Sequence, residues 1–130
     1  MSADREGRLR EAFGRASRGE VDELLALCCD DVEWTEQMLL DQRVYHGHDG
    51  VRQWFSDVTQ VFTWGSIELV GFEESGERAV TEVVVNTSGA GSGVAVSATV
   101  FHAIRFRDDK IAAITAFTDR DEARRAAGLG

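Results

Sequence analysis

An α+β domain, with helices packed on one face of a curved sheet, is the fold class this sequence predicts, and three observations carry that prediction. Apolar residues recur at helical spacing in the first half of the chain. After Trp64 the period drops from about 3.6 to 2, the switch that marks strands. Helices thus come first and a meander of antiparallel strands follows. With 130 residues, 43% of them hydrophobic, the chain suits one domain over residues 1–130 with a real core.

Each element has its own signal. "ADREGRLREAFGRASRG" sets Leu9, Ala12, Phe13 and Ala16 at helical spacing and stops at Gly19, a residue suited to a left-handed cap. "EVDELLALCC" repeats the pattern with Val21, Leu24, Leu25 and Cys28, and its early Asp22 and Glu23 suit the positive end of a helix dipole. A strand is expected over residues 31–38. After a polar break and "RVYHGHDG", the stretch "VRQWFSDVTQVF" predicts the clearest helix, with Val51, Trp54, Phe55, Val58 and Phe62 on one stripe behind an Asp49 N-cap. "SIELVGFEE" and "RAVTEVVVNT" read as strands joined by an "SGE" turn. The glycine run at 88–93 leads to a long strand, "VAVSATVFHAIRFR", a tight "DDK" turn to "IAAITAFTD", and "DRDEARRAAGLG" to a short capped helix. Proline is absent, so no turn is held by its ring.

Composition excludes several function classes. The 23 acidic and 14 basic residues leave a net charge of −9, which repels nucleic acid and anionic membranes. No apolar run approaches the roughly 20 residues of a membrane helix, and "MSADREGRLREAF" puts charges where a signal peptide is apolar, so a cytoplasmic protein is expected. Cys28 and Cys29, adjacent in an expected helix, suit neither an unstrained disulfide nor a zinc site and are read as core filling. "GAGSG" lacks the strand and helix that flank a dinucleotide loop, so no cofactor is expected. His46, His48 and Asp49 form an "HGHD" cluster without a third ligand at short range once Asp49 caps a helix, so no metal is expected either. The serines and cysteines show no companion base at a recognisable spacing.

The order of elements, with "DDVEW", "YHGHDGVRQWF", "FRDDKIAAITAFTD" and "DEARRAAGL", resembles the SnoaL-like branch of the nuclear-transport-factor-2-like superfamily over nearly the whole chain. The resemblance implies a cone-shaped domain whose helices and mostly antiparallel sheet enclose an apolar pocket, often in a homodimer. Its members include polyketide cyclases, ketosteroid isomerases, limonene epoxide hydrolases and non-catalytic binders, among which fold alone does not choose. The hydrolases and cyclases use an aspartate on the last strand, where this sequence has Ala116, and the hydrolases an arginine and an aspartate where it has Val83 and Val85. An epoxide hydrolase is therefore not expected. The isomerases place a general base on the first strand, matching Glu36, and an acidic hydrogen-bond donor on the penultimate strand, matching His102. Their tyrosine on the first helix falls at Ala12 or Phe13.

Alternation agrees with part of this picture. Trp34, Glu36 and Met38 share one strand face, and Val100, His102, Ile104 and Phe106 share another. Apolar surroundings disfavour the charged forms of a carboxylic acid and an imidazole, which suits proton transfer near neutral pH. Glu36 is the candidate base and His102 the candidate oxyanion donor. The bland alternatives are a Glu36 that reaches water or pairs with Arg43, and a His102 bonded within the core. The aromatics Trp34, Trp54, Phe55 and Trp64, with Met38, Val83, Val85, Ile104 and Ala116, are the candidate pocket lining. The expected ligand is a small apolar molecule, acted on by an isomerase or cyclase or held by a non-catalytic domain. A homodimer is expected through the outer sheet face, where Phe101, Ala103 and Phe117 would be wet in a monomer.

Overall fold

The computed structural model describes residues 2–36, 43–59, 62–89, 93 and 95–129. Helices α1 (Ser2–Ala16) and α2 (Asp22–Ala26) precede strands β1 (Cys28–Glu36) and β2 (Arg43–His46). Helix α3 (Gly47–Thr59) follows, then β3 (Phe62–Ser75), β4 (Arg78–Gly89), β5 (Ala95–Arg107), β6 (Lys110–Phe117) and helix α4 (Arg120–Ala126). The strands form one sheet in the order β2-β1-β6-β5-β4-β3, antiparallel except where β1 runs beside β6.

Shifts of register between Trp64 and Ser66 and between Leu69 and Gly71 bend β3, and a further one lies at Arg105 and Phe106 in β5. At the first of these a Cβ on Gly65 would sit 2.9 Å from the Asn86 carbonyl oxygen, so the close approach of β3 to β4 needs glycine. The two-residue turn at Asp108 and Asp109 has positive φ at both residues, the geometry that matches the twist of a tight hairpin.

The main core gathers Leu9 and Phe13 of α1, Leu24 of α2, Val32 and Trp34 of β1, Val51 and Phe55 of α3 and the inward residues of the long strands. Each large apolar side chain buried there contributes about 1.5–3 kcal/mol. Arg5 fastens the start of α1: its guanidinium lies 4.3 Å over the Phe106 ring, donates to the Gly76 carbonyl, and pairs with Asp109, Glu74 and Glu77.

Several expected boundaries move, for tertiary reasons. The second helix ends at Ala26, and Cys28 and Cys29 open β1 instead of lying in a helix. Cys28 pairs with Ile111, and the Ile111 N–H donates to the Leu27 carbonyl, so the ladder with β6 claims the chain at once. Helix α3 starts at Gly47, which places Asp49 in its first turn rather than at its cap, and ends at Thr59, while Phe62 pairs with Gly89 in β3. Strand β2 has no counterpart in the sequence pattern, because its mostly exposed residues carry no apolar alternation and its strand state comes from pairing with β1. The outer sheet face is also not as expected. Helix α4 lies on it, and Phe101, Ala103 and Val80 form a second core with Ala123 and Ala127, with Phe117 packed alongside. A single chain therefore already covers the residues that were expected to be wet. No described helix is long and apolar enough to cross a membrane.

Candidate functional site

Strand β1 ends with Trp34 and Glu36, two residues apart and so on one face, and the structure buries both, to 2% and 7% exposure. Helix α3 packs against β1 and brings Trp54 over this end, where its Nε1–H donates to Glu36 Oε2 at 2.8 Å. The bond orients a buried carboxylate beside aromatic rings. Trp34 and Trp54 lie 4.9 Å apart between centroids, and Phe55 meets Trp54 edge-on at 4.6 Å. Arg43, offered by the sequence as a pairing partner for Glu36, instead pairs with Asp57 at 3.5 Å.

His102 comes to the same space from β5. It stands beside Thr81 of β4 and Ala116 of β6 in the sheet register, with Nδ1 3.1 Å from Thr81 Oγ1. Phe13 of α1 stacks on its ring at 5.7 Å, and Trp34 meets it edge-on at 6.3 Å. Burial pushes the His102 pKa down to about 4, so the imidazole is neutral at pH 7.

Between these groups lies a cavity of about 190 Å³. Glu36 and His102 line it together with Trp34, Trp54, Phe55, Val83, Val85 and Ala116, the expected lining. Ile104 does not: it is 1% exposed and packs in the core, because it sits opposite Ile114, one step along β5 from the cavity. Met38 and the side chain of Trp64 lie outside the described residues. Further wall residues lie outside the expected lining: Phe13, Val58 and Ile67 from three separate elements, and Thr87, Val96 and Ala98 from β4 and β5. Alternation along β5 marks Val96 and Ala98 as facing with His102, whereas nothing local in the sequence marks Phe13 or Ile67 as neighbours of Glu36.

The remaining chemistry-bearing residues lie elsewhere. His48 donates from Nε2 to the Cys28 carbonyl at 3.1 Å, His46 is exposed, and among the described residues no group of three or more His, Cys, Asp or Glu side chains is placed to hold a metal. Burial pushes the Cys28 thiol up to about 12, which removes it as a nucleophile near neutral pH.

The SnoaL-like domain family profile matches residues 9–114, a span that runs from α1 into β6 and takes in Glu36 and His102. The chain belongs to the SnoaL-like domain family. A comparison with curated proteins finds no match. Solved structures similar to this SnoaL-like chain include an NTF2-like protein of unknown function from Burkholderia pseudomallei K96243, with 24% identity over 95% of this chain and 96% of that one and a TM-score of 0.73. A protein with a ketosteroid isomerase-like fold from Catenulispora acidiphila DSM 44928, in complex with trimethylamine, has 14% identity, covers 92% of each chain and has a TM-score of 0.72. TerC, co-crystallised with polyporic acid, has 20% identity over 95% of this chain and 96% of that one, at a TM-score of 0.72. At these identities the likeness establishes the fold.

Proposed function

We infer that this SnoaL-like chain binds a small, mostly apolar molecule in the cavity and isomerises or cyclises it by proton transfer, with Glu36 as base and His102 as hydrogen-bond donor. The observation that carries this reading is one cavity with an almost wholly apolar wall on which a buried carboxylate and a neutral imidazole both open. Size narrows the ligand. An apolar protein cavity of about 150 Å³ takes up benzene, so about 190 Å³ suits one or two fused rings rather than a steroid. Glu36 would take a carbon-bound proton next to a carbonyl and return it to the far end of the resulting dienolate, while His102 would hold the oxygen on which charge develops. A neutral imidazole suits that part, since it polarises a carbonyl without giving up a full proton.

A second reading is binding without chemistry, favoured by Ala116, Val83 and Val85 at positions where the resembled hydrolases carry two aspartates and an arginine. One experiment separates the two. Cyclohex-3-enone and its two-ring analogues are screened by thermal shift, and conversion to the conjugated ketone is followed by ultraviolet absorbance. The enzyme reading expects turnover that falls by about 10²–10⁴ in Glu36→Gln, the usual worth of a general base, and clearly in His102→Ala. Binding without turnover in the unaltered protein would leave the binder.

A further inference from the structure

Thr81 stands directly across from His102 in the register of β4 and β5 and has 0% exposure. Its hydroxyl proton needs an acceptor, because a buried donor left unmade is costly. Among the described residues, His102 Nδ1 is the one acceptor within hydrogen-bond distance of that hydroxyl, at 3.1 Å. The Thr81 hydroxyl therefore donates and Nδ1 accepts. A neutral imidazole carries a single proton, which must then sit on Nε2. Nε2 has no protein partner among the described residues, and the ring lines the cavity.

We propose that Thr81 is a positioning residue that fixes His102 in its Nε2–H form, so that the cavity takes ligands offering a hydrogen-bond acceptor, such as a carbonyl oxygen, at this point. The choice of ligand follows from the pair of polar groups. Glu36 already acts as an acceptor toward Trp54, so a ligand that suits both groups brings an acceptor to His102 and an acidic hydrogen to Glu36. A ketone with α-hydrogens on a one- or two-ring frame has both. An ammonium group, which only donates, is turned away at His102. The proposal rests on the cavity being the ligand site.

The test reads the tautomer and the selectivity separately. Long-range proton–nitrogen correlation spectra of ¹⁵N-histidine-labelled protein without ligand at pH 7, with His102→Asn used for assignment, report which ring nitrogen carries the proton. The unaltered chain and T81S are expected to show a protonated Nε2 and a hydrogen-bonded, unprotonated Nδ1. T81V, nearly the same in shape, is expected to lose the hydrogen-bonded Nδ1 signal. Thermal-shift titrations with 2-indanone and with indane then compare a ketone with its hydrocarbon frame. T81V is expected to lose about threefold to tenfold of the preference for the ketone, the size of one neutral hydrogen bond, and T81S to restore it. A protonated Nδ1 in the unaltered chain, or an Nδ1 signal that T81V leaves unchanged, overturns the proposal even if ketones bind. A Thr81-dependent Nε2–H signal with neither probe bound supports the tautomer assignment and counts against the ligand site alone.

Discussion

On one face of β5 and β6, Phe101, Ala103 and Phe117 are covered by α4, while on the other face His102 and Ala116 look onto a cavity. Both faces show the same alternation of apolar residues in the sequence, yet one is filled and the other hollow. The difference lies in what covers them. Helix α4 and the turn after it meet the sheet with Ala123 and Ala127, 0% and 2% exposed, whose small side chains allow close approach. The opposite face is lined by Phe13, which stacks on His102, and by Trp34, Trp54 and Phe55, stiff rings packed on one another. Such rings do not reach into the space over Ala98 and Ala116, and dense packing fails there. The ion pairs around α4, Arg120 with Glu82 and Arg124 with Glu73, are half-exposed. The cavity face holds a buried imidazole and a buried carboxylate.

The largest expected effect sets the two faces apart by acid. His102 has a folded pKa near 4 against an ordinary value of 6.5, so between those limits the unfolded chain takes up a proton that the folded chain refuses. Stability is complete above pH 6.5 and falls as pH drops toward 4, by roughly 3 kcal/mol at full effect. Urea denaturation at pH 7, 5.5 and 4.5 is expected to show this slope, and His102→Asn to flatten it. An equal slope in the variant would place the acid sensitivity elsewhere.

A matched pair of substitutions sharpens the packing comparison. Ala123→Leu pushes bulk into the tight contact beneath α4 and is expected to cost about 1–3 kcal/mol, as overpacking does. Ala116→Leu adds the same atoms over the cavity and is expected to cost under about 1 kcal/mol, since there is room for them. It should also abolish the thermal shift produced by any cavity ligand. Equal costs at the two sites would break the distinction between a filled and a hollow face.

The smallest effect concerns how α4 is held. Asp119 caps the helix by accepting from the Glu122 N–H at 3.0 Å. Asp119→Ala is expected to lower stability by about 1 kcal/mol, read as a shift of the urea midpoint. No shift would mean that the apolar contacts of Ala123 and Ala127 seat the helix without its cap.

Much of the fold was legible because its signals are local. The stripes of α1 and α3, the long strands, the tight turn at Asp108 and Asp109 and the capped last helix all lie in short windows of sequence. The errors fell where a partner distant in the chain outweighed local preference: Cys28 and Cys29 drawn into β1 by β6, Arg43–His46 made a strand by β1, and Phe62 taken into β3 by β4. For the site, alternation was enough to put Glu36 beside Trp34 and His102 among apolar neighbours. It did not reveal that Trp54 bonds Glu36, that Thr81 bonds His102, or that Ile104 lies past the end of the cavity.

The sequence by itself determined the fold class and the inward placement of Glu36 and His102, because the periods of 2 and 3.6 are properties of neighbouring residues along the chain. The tertiary structure alone decided that these two groups share a cavity, that the cavity stays open, and that α4 closes the other face of the sheet. Strand register and leftover volume are sums over contacts between residues far apart in the chain, and no short stretch of sequence contains those sums.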